Sequence, residues 1–491
     1  MPTALAGRET ERRNVGRAKV DAKLTGASMS SSHSHVIAPL IVGCAQFMHQ
    51  FDGAVITTAV PSMAQSLNED PVRLNLAITC YLLSLAVFVP VSGWMADRYG
   101  AKRVFISAIV IFTASSVLCG LVHGLPELII LRTIQGMGGA MMTPVGRVIV
   151  IKSVPKLKLV TAMNYITIPA ALGPLLGPSV GGFIVTYLSW PWIFFINLPI
   201  GVAGILLVRA YIPDIREEDA GPLDLRGFML ISLALAGLVF GFSAIGRGVL
   251  PMSVVATAIG GGAICGTFYL LHARRAANPI IDLSLLRIRT FAVSVTGGGL
   301  FYIGTVSSVF LLALLLQLGF GLSAFQAGLI TLASAAGSLL MRFTFRPLLR
   351  LFGFRHLLIF NALLTGAFLT GCGFFTPATP YLVIIAALFI GGFSRSVQFT
   401  AAQSLAYADM PPEKTSRATS FSAMAQQLMQ SVGVGFAALV VHLSLAWHGR
   451  TVLAHDDVAP AYFALGLASI ISVFIFWALP AQAGAELSER R

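Results

Sequence analysis

Gly93-Trp94-Met95-Ala96-Asp97-Arg98-Tyr99-Gly100-Ala101-Lys102-Arg103 joins two long apolar runs, residues 74–96 and 104–122. These eleven residues hold four charges and two glycines, whereas residues 74–92 and 104–122 hold no charge at all. A glycine lets two helices approach closely, an aspartate can cap a helix or pair across an interface, and clustered cations anchor a tight turn at a membrane surface. The stretch therefore predicts a short turn between two membrane-crossing helices.

The same pattern extends along the chain. A crossing takes about 20 mainly apolar residues, because the hydrocarbon core is about 30 Å thick and a helix rises 1.5 Å per residue. Fourteen stretches meet this length: 37–60, 74–96, 104–122, 125–149, 159–187, 192–212, 226–246, 251–271, 291–317, 324–344, 354–375, 381–404, 416–445 and 459–479. They are long and continuous, not short and alternating, which excludes a closed barrel. Of the 491 residues 56% are hydrophobic and 11% charged, against roughly 25% charged in a soluble protein. That composition excludes a soluble enzyme, a disordered chain and a disulfide scaffold. The five cysteines, Cys44, Cys80, Cys119, Cys265 and Cys372, lie in apolar runs without metal-ligand spacing.

The net charge of +13 comes from 33 basic and 20 acidic residues. With the N-terminus placed in the cytoplasm, 28 of the 33 cations fall in cytoplasmic segments. Arg73, Arg247 and Arg450 fall outside, and Arg132 and Arg395 lie within crossings. Cytoplasmic loops attract Lys and Arg, so this asymmetry predicts fourteen crossings with both termini cytoplasmic. The excess charge is a topology signal, and no polar face remains on which it would form a nucleic-acid site. Residues 1–35 mix charge with serine and are expected to be a disordered cytoplasmic tail. No signal-peptide pattern opens the chain, and Met29 is an alternative start.

The first quoted stretch resembles the signature loop of the major facilitator superfamily, with Gly93, Asp97, Arg98, Gly100, Lys102 and Arg103 at the motif positions. Other stretches resemble its fourteen-span drug:proton antiporter branch, the EmrB/QacA-like proteins. These are Phe51-Asp52-Gly53-Ala54-Val55-Ile56-Thr57-Thr58-Ala59-Val60-Pro61, Leu131-Arg132-Thr133-Ile134-Gln135-Gly136-Met137-Gly138-Gly139, and Trp190-Pro191-Trp192-Ile193-Phe194-Phe195-Ile196-Asn197-Leu198-Pro199-Ile200-Gly201. Pro191 replaces the arginine usual in the last of them. Gly173, Pro174, Gly177, Pro178, Gly181 and Gly182 resemble the antiporter motif of exporters. The resemblance implies an all-α membrane protein of two six-helix pseudo-repeats, 36–212 and 291–482, with a linker at 213–290 carrying two inserted crossings and a cytoplasmic tail at 483–491. An offset of 253 residues, which carries Gly100 onto Gly353 and Gly138-Gly139 onto Gly391-Gly392, agrees with such a repeat.

No phosphate-binding loop of the G-x-x-x-x-G-K-[ST] type and no H-E-x-x-H occurs. A proton gradient is the expected energy source, with no cofactor and no metal. Of the acids, Asp52 alone lies deep in a crossing, and an intramembrane carboxylate is a functional candidate by default. Asp52 sits about 13 Å and Arg132 about 10 Å from the outer ends of their crossings, at 1.5 Å per residue. An arginine would hold Asp52 ionised, and loss of that contact would favour its protonated form. A permanent structural pair is the alternative. His49, one turn before Asp52, and Gln135, one turn after Arg132, lie on matching faces. Arg395 and Gln398 form a polar group in the twelfth crossing that would meet an anionic substrate or helix carbonyls.

The resemblance implies a multidrug or organic-compound exporter in a bacterial inner membrane, not an enzyme. Its substrate would be small, hydrophobic or amphipathic, and its partners the lipid bilayer and a periplasmic adaptor for which the chain shows no docking signal. With no second buried acid in view, neutral, lipophilic and anionic substrates stay open. Uptake of an organic anion by proton symport, and a receptor that transports nothing, are the rival readings.

Overall fold

A computed structural model describes residues 36–214, 221–245, 251–322, 324–449 and 454–488. The expected tail at 1–35, Arg247 and Arg450 of the outer loops, and the terminal Arg490 and Arg491 lie outside the described residues. Among those described, helices are the regular structure and no strand occurs. α1 covers 36–67. It is followed by α2 (Pro71–Phe88), α3 (Ser92–Tyr99), α4 (Ala101–Cys119), α5 (Leu125–Ser153), α6 (Leu159–Tyr187), α7 (Trp192–Phe195) and α8 (Asn197–Tyr211). Then come α9 (Leu225–Ala244), α10 (Met252–Ala273), α11 (Arg289–Leu314), α12 (Ala324–Cys372), α13 (Tyr381–Ala406), α14 (Thr415–Trp447), α15 (His455–Trp477) and the short α16 (Ala485–Ser488).

By length and apolarity, ten helices among the described residues can cross a membrane, or twelve when each of two bent pairs counts once. One pair is Arg73–Phe88 with Ser92–Tyr99, bent by 58°. Pro90 lies in the break, where its missing N–H interrupts the helical ladder. The other pair, Lys156–Pro174 with Ser179–Tyr187, bends by 45° at the run of glycines and prolines. α1 is not among the twelve, and α12 counts once although it contains two of the expected crossings. Large apolar side chains such as Phe343, Leu382, Phe474 and Trp447 stand exposed on the bundle's outside, as a lipid-facing surface requires.

Two glycines mark the same turn in two places. Gly100 has φ 93° and Gly353 has φ 69°, a region where a Cβ is disfavoured. Gly100 separates α3 from α4, and Gly353 divides α12. α4 runs from Ala101 to Cys119, and the arm of α12 after Gly353 ends at Cys372, 253 residues beyond Cys119. The offset seen in the sequence is therefore an offset in helix boundaries.

α9 and α10 press glycine against glycine. A Cβ on Gly237 would meet the Ala258 carbonyl oxygen at 2.6 Å, and one on Gly262 would meet the Leu238 nitrogen at 2.8 Å. Asp224 starts α9 by accepting from the Gly227 N–H at 2.9 Å and also bonds His272 Nε2 at 2.8 Å, an N-cap of the expected kind. The helices of 36–212 touch those of 289–477 near the Lys102 end of the bundle. Ser92 and Ser420 hydroxyls lie 2.8 Å apart, Arg147 Nη2 donates to Gln426 Oε1 at 3.1 Å, and Arg342 stacks 5.2 Å above the Tyr165 ring. Arg147 corrects the reading of the loops. Counted with the cations of a cytoplasmic segment although it falls within the expected crossing 125–149, it lies inside α5, 6% exposed and bonded across the interface. Six residues before the helix end is about 9 Å of helix, which keeps it from the loop.

Candidate functional site

The site is built on α1, whose Asp52 is 1% exposed. Arg132 of α5, 0% exposed, reaches it with Nη1 at 2.6 Å from Oδ2. Two neutral amides complete the shell on the other oxygen. Gln135 Nε2 donates to Oδ1 at 3.0 Å, and Asn197 Nδ2 of α8 donates to Oδ1 at 3.0 Å. Gln135 also accepts from Arg132 Nη1 at 2.6 Å, which its position one turn along the same helix permits. Asn197 is in turn tied to the Ser116 hydroxyl at 2.9 Å.

The chemistry of this shell is that of a stored negative charge. Three donors converge on the carboxylate, one of them a guanidinium, so one of its hydrogen bonds is charge-assisted on both sides. Arg132 stacks 4.2 Å from the Tyr81 ring centroid and 5.9 Å from that of Phe194. Among the described residues its Nε and Nη2 atoms have no acceptor, and these ring faces supply part of what is missing.

The expected partners divide. Gln135 joins Asp52 and Arg132 directly, whereas His49 does not. Its Nδ1 lies 2.7 Å from the Tyr81 hydroxyl, and the imidazole faces Phe112 edge-on at 6.3 Å. Tyr81 thus links His49 to the ion pair, its hydroxyl bonded to His49 and its ring under the Arg132 guanidinium. Tyr81 and Asn197 are the members that were not assigned to the site beforehand. Asn197 was visible within the Trp190–Gly201 motif, while Tyr81 is a lone phenol in an apolar run and carries no local signal.

The glycines of the antiporter-like run have a common neighbour, α1. A Cβ on Gly173 would meet the Phe51 nitrogen and Gln50 Cβ at 2.8 Å, and one on Gly177 would meet Ala54 Cβ at 2.5 Å. One on Gly181 would strike the Thr58 hydroxyl and lie 2.7 Å from Val55 Cγ2. These three, spaced by four residues, bracket Asp52. Gly182 has open space around its Cα, and it falls off this face because it follows Gly181 by one residue. Pro174 lies at the end of the first arm of the bend, and Pro178 falls between the two arms.

The loop motif has separate duties. Gly93 packs against α14, where a Cβ would meet the Ser416 carbonyl oxygen at 2.5 Å. Lys102 Nζ caps the end of α8 through the Arg209 carbonyl oxygen at 2.9 Å, and Arg103 Nε lies 3.6 Å from Asp214. Asp97 is partly buried and engaged, and Arg98 is exposed. Arg395 and Gln398 are held in α13, away from Arg132. Gln398 Oε1 accepts from Asn361 Nδ2 at 2.9 Å, and Arg395 lines a separate cavity.

A model of the Major Facilitator Superfamily matches residues 42–434 and again 295–490. The chain is 37% identical over 445 residues to a protein named as multidrug resistance protein MdtD of Escherichia coli O6:H1, covering 90% of this chain and 94% of that one. The MdtD of Shigella flexneri serotype 5b is 36% identical over the same length. Among solved structures, the proton:xylose symporter XylE superposes with a TM-score of 0.65 at 17% identity, covering 94% of this chain and 99% of that one. The human organic anion transporter MFSD10 gives 0.60 at 15%, covering 90% and 99%. Joined to the helical bundle and the buried charge pair, the family match makes this chain a multi-pass membrane transporter, not an enzyme, and a member of the major facilitator superfamily.

Proposed function

We propose that this transporter is a proton-driven exporter of hydrophobic or amphipathic organic compounds in a bacterial inner membrane, of the fourteen-span drug:proton antiporter branch. The observation that carries the reading is Asp52, an acid buried at membrane depth and held by Arg132, Gln135 and Asn197. Such a group is a proton site when its donors withdraw: ionised while paired, protonated when the pair opens. The energy comes from the proton gradient and no cofactor is needed. Export is supported by the likeness to the MdtD proteins and by the glycines of α6 that clamp α1 around Asp52. In this reading the clamp prevents protons from leaking past the carboxylate.

The topology goes with it. Counting α1, and the two arms of α12 on either side of Gly353, beside the twelve helices and bent pairs gives fourteen crossings. The cation asymmetry supports a cytoplasmic location for the Lys102 end and both termini. Helices of 36–212 and of 291–482 form the two moving bundles, and α9 and α10 fill the linker at 213–290. A periplasmic adaptor remains part of the proposal by resemblance alone.

Everted vesicles test this reading. With a preformed acid-inside gradient, adding a substrate found from a susceptibility panel should dissipate the gradient in wild-type vesicles, as antiport requires. Asp52→Asn should abolish that response while the protein remains in the membrane. A response unchanged in Asp52→Asn overturns the assignment, and substrate that never dissipates the gradient overturns export in favour of symport or a receptor.

A further inference from the structure

The cavity that Arg395 lines lies within α11, α12, α13 and α15, and Arg395 is the one charged residue in its wall. Its volume is about 30 Å³, room for about two water-sized groups. Hydroxyls of Thr305, Ser308, Ser334 and Thr365 line it together with apolar side chains such as Val309 and Phe368.

The cavity occupies the place that the Asp52 site holds 253 residues earlier. Thr305, Ser334, Cys372, Leu388 and Gly391, all in its wall, stand at the offset positions of Asp52, Tyr81, Cys119, Gln135 and Gly138. Those earlier residues form or adjoin the ion pair, Cys119 Sγ lying 4.0 Å from Gln135 Oε1. In the later copy the acid has become threonine, the phenol serine, and the arginine position is taken by Ile385. Smaller side chains leave a hollow, and a guanidinium enters it from the position matching Met142.

That guanidinium lacks a counter-charge. Arg395 is 14 residues into α13 and 11 from its end, about 21 Å and 17 Å of helix. Of the helices that wall the cavity, α11, α12 and α13 contain no Asp or Glu, and the two acids of α15, Asp456 and Asp457, lie in its first turn, where Asp457 bonds His448 Nδ1 and the Ala454 N–H. Among the described residues no hydrogen bond, ion pair or ring contact engages Arg395, which is partly buried. Thr305 and Ser308 donate to carbonyls of their own helix, and Thr365 is engaged with Ser394. The Tyr462 hydroxyl, also in the wall, is directed at the Ser308 carbonyl oxygen at 3.5 Å, which leaves Ser334 and Arg395 as the lining residues whose polar side-chain groups are not engaged. A lone cation at this depth is costly unless something of opposite charge accompanies it.

We propose that this cavity is a binding site for one small monovalent anion, a carboxylate group or a halide, held by Arg395 with Ser334 beside it. The volume excludes a whole drug molecule, and the partly apolar wall suits a carboxylate on a short stem. The proposal does not depend on export or on Asp52.

The test is thermal unfolding of the purified full-length protein while sodium formate, acetate or chloride replaces gluconate at constant ionic strength. A ligand that binds the folded state raises the midpoint saturably. Wild-type protein should show that rise, and Arg395→Gln should weaken the apparent affinity by about tenfold or more, the loss of a charge-assisted contact. Ser334→Leu, which fills the hollow from another helix, should abolish the rise, and Asp52→Asn should keep it. A larger rise with formate and acetate than with chloride assigns the site to a carboxylate group, and the reverse order to a free halide. No rise with any of the three anions, or an equal rise in Arg395→Gln and Ser334→Leu, overturns the proposal.

Discussion

Asn197 shows how one residue can matter without charge. It is one of three donors on Asp52 and the link from that carboxylate to Ser116. Removing a hydrogen bond to a charged group costs about 1.5–3 kcal/mol. Asn197→Ala should therefore lower the thermal midpoint of the purified protein and reduce gradient dissipation in vesicles, while Asn197→Asp should be worse, because it sets a second carboxylate against the first. Transport at wild-type rates in Asn197→Ala would remove this residue from the site. Asp52 and Arg132 were legible beforehand because charge in hydrocarbon is rare and depth can be counted along a helix. Tyr81 was not, since its value lies in holding the guanidinium on one side and His49 on the other, contacts between helices that no spacing within α2 encodes.

At the scale of elements, the bend and the close approach of α6 to α1 give a paired prediction. Gly177→Val should abolish transport, because even a Cβ at this position comes within 2.5 Å of Ala54 Cβ and a branched side chain must push the two helices apart. Gly182→Ala, at a position with open space, should transport normally. Equal effects of the two substitutions would mean that the glycine run acts through backbone flexibility and not through contact. Gly353→Ala should reduce stability by about 1–3 kcal/mol, the cost of a Cβ at a positive φ with an extended ψ, a region that is essentially glycine's alone, read as a lowered thermal midpoint. Helix limits followed closely from apolar length. The joining of two expected crossings into α12 did not, because the divider is a single residue with a positive φ, which leaves the helical hydrogen-bonding direction only briefly.

At the scale of the whole molecule, the contacts described between helices of 36–212 and of 289–477 gather at the Lys102 end. Ser92→Cys with Ser420→Cys, in a background lacking the native cysteines, should form a crosslink because the parent hydroxyls are 2.8 Å apart. Oxidised vesicles should lose transport and reductant should restore it, as measured by the same gradient assay. Transport unaffected by a complete crosslink would show that this end does not open. The all-helical, multi-crossing architecture was readable from the apolar runs, whose length obeys the bilayer. Arg147 was misplaced because a rule about loops cannot detect an arginine drawn inward to meet a glutamine of another helix.

The four residues around the buried charge, Asp52, Arg132, Gln135 and Asn197, sit on α1, α5 and α8, helices of one bundle. If two bundles merely tilted as rigid bodies, every distance among these four would survive the swing, and the acid would stay as tightly gripped at the end of the stroke as at its start. If Asp52 carries the coupled proton as proposed, its release calls for a second kind of motion, a slide or turn of α1 relative to α5 and α8. Bundle tilting sets which side the substrate sees, while this smaller internal slip sets when the proton can leave, so mutations that slow one need not slow the other.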